Sequence, residues 1–401
     1  MNTQVGLLLT GMLLTAAVNA PISGQHARQR VIVVFHDDVS LQSFGSGRVD
    51  ARARANPAAW AYLDRAVVGA VQALEVQHGF RADHVYSEAV RGFAAELTNG
   101  QIRALQRDSV VAYIEPDTPM RLLEQTLPWG VDRIDTDISS TAAGDGVGAV
   151  TNVHVYILDN GVDRTHPDLN VINQVNFTST ANTAACAHGT RVAGVLAASD
   201  NTIDVVGALP GAPIIAVKVT SCDPVFFSAS SVIKGVDWVT KHAVKPAVAN
   251  MSIGGPPNST LDRAVIKSAN RGILYAIAAG NQASDACFTS PQRTGPHDGI
   301  MTVAGTVRDD SEWIQSSFGR CVDLWAPAVD ILTTELGGGT ATSSGTSYAA
   351  PHVAGTAGLY LSTHPTATPA MVENQLKADG VFTGTLSKDL TPVRLVYAGW
   401  Y

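Results

Sequence analysis

The sequence predicts an α/β protein in two parts: a small α+β domain, then a large three-layer domain with a mainly parallel sheet. In the second part apolar runs alternate with amphipathic segments, as in IIAVKVT followed by SASSVIKGVDWVTKHA. This alternation is typical of parallel strands with helices on both faces. The first part, from about Gln29 to Asp117, has a β-α-β-β-α-β pattern that predicts a compact ferredoxin-like fold.

Length, composition and charge agree with this division. The chain has 401 residues and 45% hydrophobic content, enough for one large core and one small core. Its net charge of -8 lies entirely after Glu115, because acidic and basic residues balance before that point. There is no basic patch with interleaved aromatic residues, which argues against nucleic-acid binding. The excess of carboxylates fits a soluble secreted protein, and is compatible with calcium binding.

The N-terminus, residues 1–20, has the pattern of a secretory signal peptide. The apolar run from Val5 to Val18 is too short to span a bilayer and is followed by Asn19-Ala20, where we expect cleavage. No Lys or Arg precedes this run and Pro21 follows it, so a buried N-terminal helix is the alternative. No later segment is long and apolar enough to be transmembrane, so we expect a secreted product with no membrane association.

Elements of the small domain follow in order. VIVVFHDD predicts a strand, residues 57–79 a helix and VRGFAAELT a second strand, and LTNGQIRALQRDSVVAYIEPD predicts a further helix and strand, so one strand of the pattern has no segment assigned to it. The large domain begins its own pattern with VHVYILDNGVD, a buried strand that delivers Asp159 at its carboxyl end. Open α/β sheets place their functional sites at that edge.

Two more segments of the large domain carry candidate catalytic residues. His188 opens a helix rich in small residues, and Ser347 lies where the glycine-rich loop of SSGTSYAAPHVAG becomes a helix. A helix N-terminus favours developing negative charge, so a serine there can serve as a nucleophile. Taken singly, Asp159 could be a turn residue, His188 a surface residue and Ser347 an N-cap.

The order Asp, His, Ser along the chain gives these residues a joint interpretation. An α/β-hydrolase has the order Ser, Asp, His and a G-x-S-x-G nucleophile motif. Here Ala349 occupies the second glycine position, which argues against an esterase or lipase. The Asp, His, Ser order is the one found in subtilisin.

With these residues and several further motifs, the chain resembles the subtilases on their proteinase K-like branch. The resemblance runs from about Trp129 to the end and implies that Ser347 is the nucleophile, His188 the general base and acid, Asp159 the orienting carboxylate and Asn281 the oxyanion donor. The matching segments are DNGVDRTHPDL, HGTRVAG, NMSIGG, AAGN, VDLWAPAVDI and GTSYAAPHVAG.

The resemblance also implies a substrate cleft. The segment 252–255 would form one side, where the peptide adds as an extra strand, and the segment 278–280 would form the other wall of the primary specificity pocket. No acid lies in either segment, so we expect a neutral, mostly apolar or aromatic preference before the cut. Phe226 and Phe227 lie at the opposite cleft edge, and three alternatives are open for them: they would narrow the cleft, add an apolar subsite or pack on the core. The wall residues are Ser252, Ile253, Gly254, Gly255, Ala278, Ala279 and Gly280.

By the same resemblance, residues 21–121 form an inhibitor-like prodomain with its cleavage linker, and residues 122–401 the peptidase domain. The prodomain would act as intramolecular chaperone and inhibitor of a zymogen. Ser347 would cut the linker between Asp117 and Thr126. An independent peptide-binding module is the alternative role for the small domain.

Four cysteines, all in the large domain, allow three pairings. Their spacing excludes a C-x₂-C zinc site, and four free thiols are the alternative to disulfides. The resemblance implies the pairs Cys186–Cys222 and Cys287–Cys321. It also makes Asp323, in VDLWAP, a candidate ligand of a structural calcium ion.

Three residues near the catalytic motifs depart from the family pattern. Asn160 stands where Thr or Ser is usual, Arg191 replaces a second histidine, and Tyr348 replaces the methionine after the nucleophile. Loss of that thioether predicts tolerance of oxidants. No catalytic group is lost, so we expect a secreted, monomeric serine endopeptidase without a catalytic cofactor, and a catalytically silent binding protein is the alternative.

Overall fold

The computed structural model of the protein describes residues 28–36, 57–118, 125–184, 186–222 and 228–401. The predicted signal peptide, residues 119–124 of the predicted cleavage segment, and Phe226 and Phe227 lie outside the described residues. The chain forms two compact units that divide between Arg121 and Leu122.

The first unit has the predicted β-α-β-β-α-β order, which confirms the predicted fold class. Its four strands form one antiparallel sheet in the order β2-β3-β1-β4. The elements are β1 (Arg28–Phe35), α1 (Pro57–His78), β2 (His84–Tyr86), β3 (Gly92–Thr98), α2 (Asn99–Leu105) and β4 (Val111–Pro116).

A capping box begins α2 and fastens it to the end of α1. The Thr98 hydroxyl accepts the Gln101 N–H at 3.3 Å, and the Gln101 side chain accepts the Thr98 N–H at 2.8 Å. The Gln101 amide also donates to the carbonyls of His78 and Gly79. This fixes the helices above a core that includes Val33, Phe93 and other apolar residues of the sheet.

The second unit contains a nine-stranded sheet with helices on both faces. Strand order is β14-β15-β11-β10-β9-β8-β5-β7-β6, and every pairing is parallel except that of β14 with β15. The strands are β5 (His154–Asp159), β6 (Val171–Asn176), β7 (Ile214–Lys218), β8 (Ala247–Met251), β9 (Leu274–Ala278), β10 (Ile300–Thr306), β11 (Leu324–Pro327), β14 (Val381–Leu386) and β15 (Pro392–Leu395).

The helices of this unit are α3 (Trp129–Arg133), α4 (His188–Ala197), α5 (Ala229–His242), α6 (Ser259–Ala269), α7 (Thr346–Thr363) and α8 (Pro369–Asp379). A separate antiparallel hairpin joins β12 (Ile331–Thr334) to β13 (Thr340–Ser343).

Alternation along β5 shows why the domain has three layers. Val155 and Ile157 pack into the core shared with α4 and α7, while Tyr156 and Leu158 pack into the core shared with α5 and α6. Successive side chains of a strand point to opposite faces, so a strand buried on both faces is apolar throughout. The predicted three-layer, mainly parallel architecture is confirmed.

The carboxyl ends of the central strands bring the predicted site segments together. β5, β8 and β9 are adjacent and parallel, so the residues that follow them emerge at one edge of the sheet. Asp159 ends β5, Ser252 follows β8, and Asn281 lies shortly after β9. α4 and α7 pack against each other on one face.

Across the described ranges, no helix is both long enough and apolar enough to cross a membrane.

Candidate active site

Asp159 and His188 form a hydrogen-bonded pair between the end of β5 and the start of α4. Nδ1 of His188 lies 2.9 Å from each carboxylate oxygen of Asp159. Asp159 is 1% exposed, whereas the imidazole is partly exposed. Burial by itself lowers the pKa of His188, but the charge and hydrogen bond of Asp159 outweigh burial and leave that pKa above its ordinary value.

Asn160 braces this pair. Its backbone N–H donates to Asp159 Oδ1 at 2.7 Å, and its side-chain oxygen accepts the N–H of Gly189 at 3.0 Å. The side-chain amide also donates to Cys186 Sγ at 2.8 Å. Residue 160 therefore joins the end of β5 to the first turn of α4, a role that the sequence did not reveal.

Both cysteine pairs implied by the resemblance are disulfides in the structure. Cys186 and Cys222 have Cα atoms 6.0 Å apart, and Cys287 and Cys321 have Cα atoms 5.4 Å apart. The first bridge lies two residues before His188. It therefore closes a covalent loop next to the Asp159–His188 pair.

Ser347 lies in the first turn of α7, after Gly345. Gly345 has φ 151°, a conformation that a residue with a side chain rarely adopts. The Ser347 hydroxyl donates to the carbonyl of Ser252 at 3.4 Å, and the Ser252 hydroxyl donates to the carbonyl of Ser347 at 2.7 Å. No hydrogen bond links Ser347 to His188, both of which are described; such bonds commonly tighten only when substrate is bound.

The amide of Asn281 is oriented by Thr346. Its Oδ1 accepts the Thr346 N–H at 2.9 Å and the Thr346 hydroxyl at 2.8 Å. The same hydroxyl accepts the N–H of Gly280 at 3.0 Å. Because Oδ1 is occupied twice, Nδ2 of this exposed side chain is left to donate outward. Thr346, buried beside the serine, is an orienting residue that the sequence did not identify.

A cavity of about 300 Å³ opens beside Ser347. All seven residues predicted to bind substrate line it, together with Asn281 and Ser347. Five further lining residues were not predicted from the sequence: Gln282, Ser284, Thr289, Gln292 and Thr346.

Gln292 joins the two predicted walls of this cavity. Its side-chain nitrogen donates to the carbonyl of Ile253 at 3.0 Å and to that of Ala278 at 2.8 Å. The side chain is 2% exposed, and its Oε1 is buried without a hydrogen-bond partner. No sequence signal marked this residue, because nothing in its own loop shows which distant carbonyls it contacts.

The surroundings of Asp323 do not fit the calcium role that the resemblance implied. One of its oxygens receives the Lys377 ammonium at 2.8 Å, and the other accepts the Thr302 N–H at 2.8 Å. Lys377 also bridges to Glu373 at 3.2 Å. A cationic side chain thus occupies the place of a cation, and none of the described residues form a group of three or more acids, histidines or cysteines suited to a metal.

Comparison with known protein families identifies both parts of the chain. Residues 151–383 match the subtilase family, and residues 30–123 match the peptidase inhibitor I9 family. The chain belongs to the subtilase family. It is a hydrolase of the subtilisin type, a serine proteinase preceded by an I9 inhibitor domain.

Individual relatives agree with this assignment. The extracellular serine proteinase of Thermus sp. (strain Rt41A) is 39% identical over 311 residues, which cover 74% of this chain and 73% of that protein. Alkaline serine exoprotease A of Vibrio alginolyticus is 36% identical over 74% of this chain, which spans just over half, 56%, of that protein.

A solved structure is similar as well. The crystal structure of a cold adapted subtilisin-like serine proteinase has a TM-score of 0.60 and 35% sequence identity, and it covers 67% of this chain and 97% of its own.

Proposed function

We propose that the protein is a secreted serine endopeptidase that cleaves peptide bonds through an acyl-enzyme formed on Ser347. The observation that carries this proposal is the buried Asp159 carboxylate on His188 Nδ1, at 2.9 Å, in a site whose cavity is lined by Ser347 and Asn281. A serine hydroxyl is a weak nucleophile at neutral pH, and a paired imidazole is what activates it.

Each proton in the reaction has a place. Asp159 keeps the Nδ1 proton of His188 in a hydrogen bond, so Nε2 is free to take the proton of the Ser347 hydroxyl. The serine oxygen bonds to the substrate carbonyl carbon as that proton moves. The carbon–nitrogen bond then breaks while His188 returns the proton to the leaving amine. Water repeats the sequence on the ester and releases Ser347.

The negative oxygen of the tetrahedral intermediate needs neutral donors already in position. Nδ2 of Asn281 is one, because Thr346 occupies the other end of the amide. The N–H of Ser347, in the first turn of α7, is the second. Both lie at a helix N-terminus, where the helix dipole adds to the stabilisation.

The cavity supports a preference for neutral apolar or aromatic side chains before the cut. None of its 14 lining residues is charged, so a basic or acidic side chain would enter without a counter-charge. Peptide backbone would add along the Ser252–Gly255 segment.

The precursor would be a zymogen with a signal peptide at 1–20, a prodomain at 21–121 and a peptidase domain at 122–401. The I9 match over residues 30–123 supports a prodomain that inhibits the protease and assists its folding. An extracellular relative supports secretion. The mature enzyme would act on polypeptides as a monomer, with no nucleic-acid or membrane partner. A structural calcium ion is not part of the proposal at Asp323, because Lys377 neutralises that carboxylate.

The test is to express the full precursor beside its Ser347→Ala variant. Wild type should release a fragment ending near Leu122 and digest casein, and phenylmethylsulfonyl fluoride should abolish both. The purified Ser347→Ala protein should stay at full length. Ser362→Ala, the same change near the other end of α7, is the control and should mature normally. Equal maturation of isolated Ser347→Ala would rule out self-cleavage, and a folded, inert wild type would favour the silent binding protein.

A further inference from the structure

Behind the proposed catalytic pair lies a polar cluster that the reaction scheme does not use. Its members are Arg191, Glu335, Ser343 and Tyr348, here called the Arg191 clamp. They come from four separate elements: α4, the turn after β12, β13 and α7. Arg191 and Glu335 are 144 positions apart in the chain, so only the tertiary fold brings them together.

Arg191 is the centre of the clamp. Its Nε donates to Glu335 Oε2 at 2.9 Å, Nη2 forms an ion pair with the same oxygen, and Nη1 donates to Ser343 Oγ at 3.1 Å. Its backbone carbonyl accepts the Thr333 hydroxyl at 2.6 Å. Arg191 is therefore held by the β12–β13 hairpin through both its backbone carbonyl and its guanidinium.

Tyr348 connects this cluster to the catalytic pair. Its ring centroid lies 6.1 Å from that of His188, and it directly follows Ser347 on α7. The phenol is buried and interacts electrostatically with Arg191, which itself donates to Ser343. Burial raises the pKa of Tyr348, so the phenol is neutral and adds no negative charge beside Arg191, whose counter-charge is Glu335.

We propose that Arg191 and Tyr348 are positioning residues for His188, coupling the helix that carries the base to the helix that carries the nucleophile. The ring of Tyr348 lies near the imidazole, and in this proposal the polar interaction of Arg191 with the Tyr348 hydroxyl keeps that ring in place. Arg191 also lies one turn after His188 on α4, where side chains three positions apart are neighbours. The inference rests on the proposed roles of His188 and Ser347.

A charge this close acts on the base electrostatically. The charged or titratable groups around His188, among the described residues, are Asp159 from β5, Arg191 from α4, Tyr348 from α7 and, behind Arg191, Glu335 from the hairpin turn. Asp159 raises the pKa of His188, and Arg191 lowers it. The clamp therefore opposes part of the effect of Asp159 and keeps more of the imidazole neutral, the form that accepts the serine proton.

The two members of the ion pair should consequently shift the pH profile in opposite directions. Arg191→Gln removes a positive charge and should raise the pKa of His188. The acid limb of the plot of kcat/KM against pH should therefore move up by about 0.3–1 pH unit. Glu335→Gln leaves Arg191 without its counter-charge, so the same limb should move down. Tyr348→Phe should leave the limb near its original pH and lower kcat about 3–10-fold, because it removes only the hydroxyl that holds the ring.

A double variant tests whether Arg191 and Tyr348 act on His188 together. Arg191→Gln combined with Tyr348→Phe should lose no more kcat than the worse single variant, since either change releases the same ring. Arg191→Lys, which keeps the charge but not the forked geometry, should restore the pH profile without fully restoring kcat.

Arg133→Gln is the matched control. Arg133 also uses Nε and Nη2 to pair with a carboxylate, that of Asp310, at 2.8 and 2.6 Å and with similar exposure, but away from the site. It should lower the melting temperature about as much as Arg191→Gln without moving the acid limb.

The clamp has no positioning role if Arg191→Gln and Glu335→Gln leave the limb in place, if Arg133→Gln shifts it equally, or if the double variant is additive. Should Arg191→Gln not accumulate, Glu335→Gln and Tyr348→Phe decide by the same measurements. An active wild type with unchanged variants overturns the clamp alone. An inert wild type overturns the proposed function.

Discussion

The two sides of the candidate site are built from different materials. The base side consists of Asp159, His188 and their surroundings: a buried carboxylate, a disulfide and the Arg191 clamp. The oxyanion side consists of Ser347, Asn281 and Thr346, where neutral amide, hydroxyl and backbone groups hydrogen-bond one another.

The difference agrees with the proposed role of each side, which is proton transfer on the base side and oxyanion stabilisation on the other. Proton transfer requires a base with a controlled pKa, and nearby charges are the strongest way to move a pKa. Stabilising a transient oxyanion requires donors already aimed, and neutral donors can be held near solvent without a permanent charge. A substitution that changes charge on the base side should therefore leave the donors of the oxyanion side in place, and loss of a neutral donor should leave the pKa of the base unchanged.

The largest expected effect is on the base side. Asp159→Asn keeps the shape of the side chain but can present an N–H to His188 Nδ1, which favours the wrong tautomer of the imidazole. This change should lower kcat on the order of 10⁴-fold. Initial rates on a chromogenic peptide measure this. Asp323→Asn is the control, because it alters another buried carboxylate, paired with Lys377, and should lower stability with little change in kcat. A comparable loss of kcat in both variants would contradict the assigned role of Asp159.

On the oxyanion side, Asn281→Ala should lower kcat about 10²–10³-fold with KM nearly unchanged, since the donor acts mainly in the transition state. The acid limb of the pH profile should not move, because no charge is lost. Asn270→Ala, an exposed asparagine at the end of α6, should be neutral in both respects. A shifted pH profile in Asn281→Ala would mean that the two sides are not separable.

The disulfides sharpen the comparison because only Cys186–Cys222 contacts the brace of the Asp159–His188 pair. Replacing either pair by serines should cost roughly 3–4 kcal/mol in the free energy of unfolding, since the loops have similar lengths. Only loss of Cys186–Cys222 should also lower kcat, by a few-fold, because Asn160 contacts Cys186 and braces the Asp159–His188 pair. Denaturant unfolding and single-substrate kinetics separate these outcomes, and equal kcat in both variants would refute the brace.

The smallest effect is a divergence of stability and activity with pH. The pKa of His188 lies above its ordinary 6.5, so the charged pair with Asp159 contributes stability that is complete below pH 6.5. That contribution is lost as pH rises through the pKa of the folded state, while neutral imidazole and hence kcat/KM increase. Melting temperature in the Ser347→Ala background and kcat/KM in wild type should change in opposite directions across this range. Parallel changes would contradict the raised pKa.

Local patterns and the family resemblance together located most of the site. Alternating elements predicted parallel strands, and residues at strand ends and helix starts then had to meet at one sheet edge. Asp159, Ser252 and Asn281 follow that rule, and the structure gathers all the predicted wall residues around one cavity. Their roles as catalytic and binding groups remain predictions that the experiments above address.

The polar partners of these residues could not be predicted in the same way. Asn160, Gln292 and Thr346 orient the site through contacts with segments far away in the chain. Lys377 reaches Asp323 across 54 positions and takes the place that a calcium ion was expected to fill. Nothing in the period of apolar residues specifies such pairs.

By itself the sequence determined the layer architecture, the chain order of the reactive side chains and the strand and helix ends that carry them. These depend on apolar period and local backbone preference, which act over a few residues. Only the tertiary structure decided that Arg191 meets Glu335, that Tyr348 lies beside His188, and that Gln292 joins the two cavity walls. Hydrogen bonds and ion pairs require side chains from different loops to be placed to within a few tenths of an ångström, and that placement exists only once the whole core has packed.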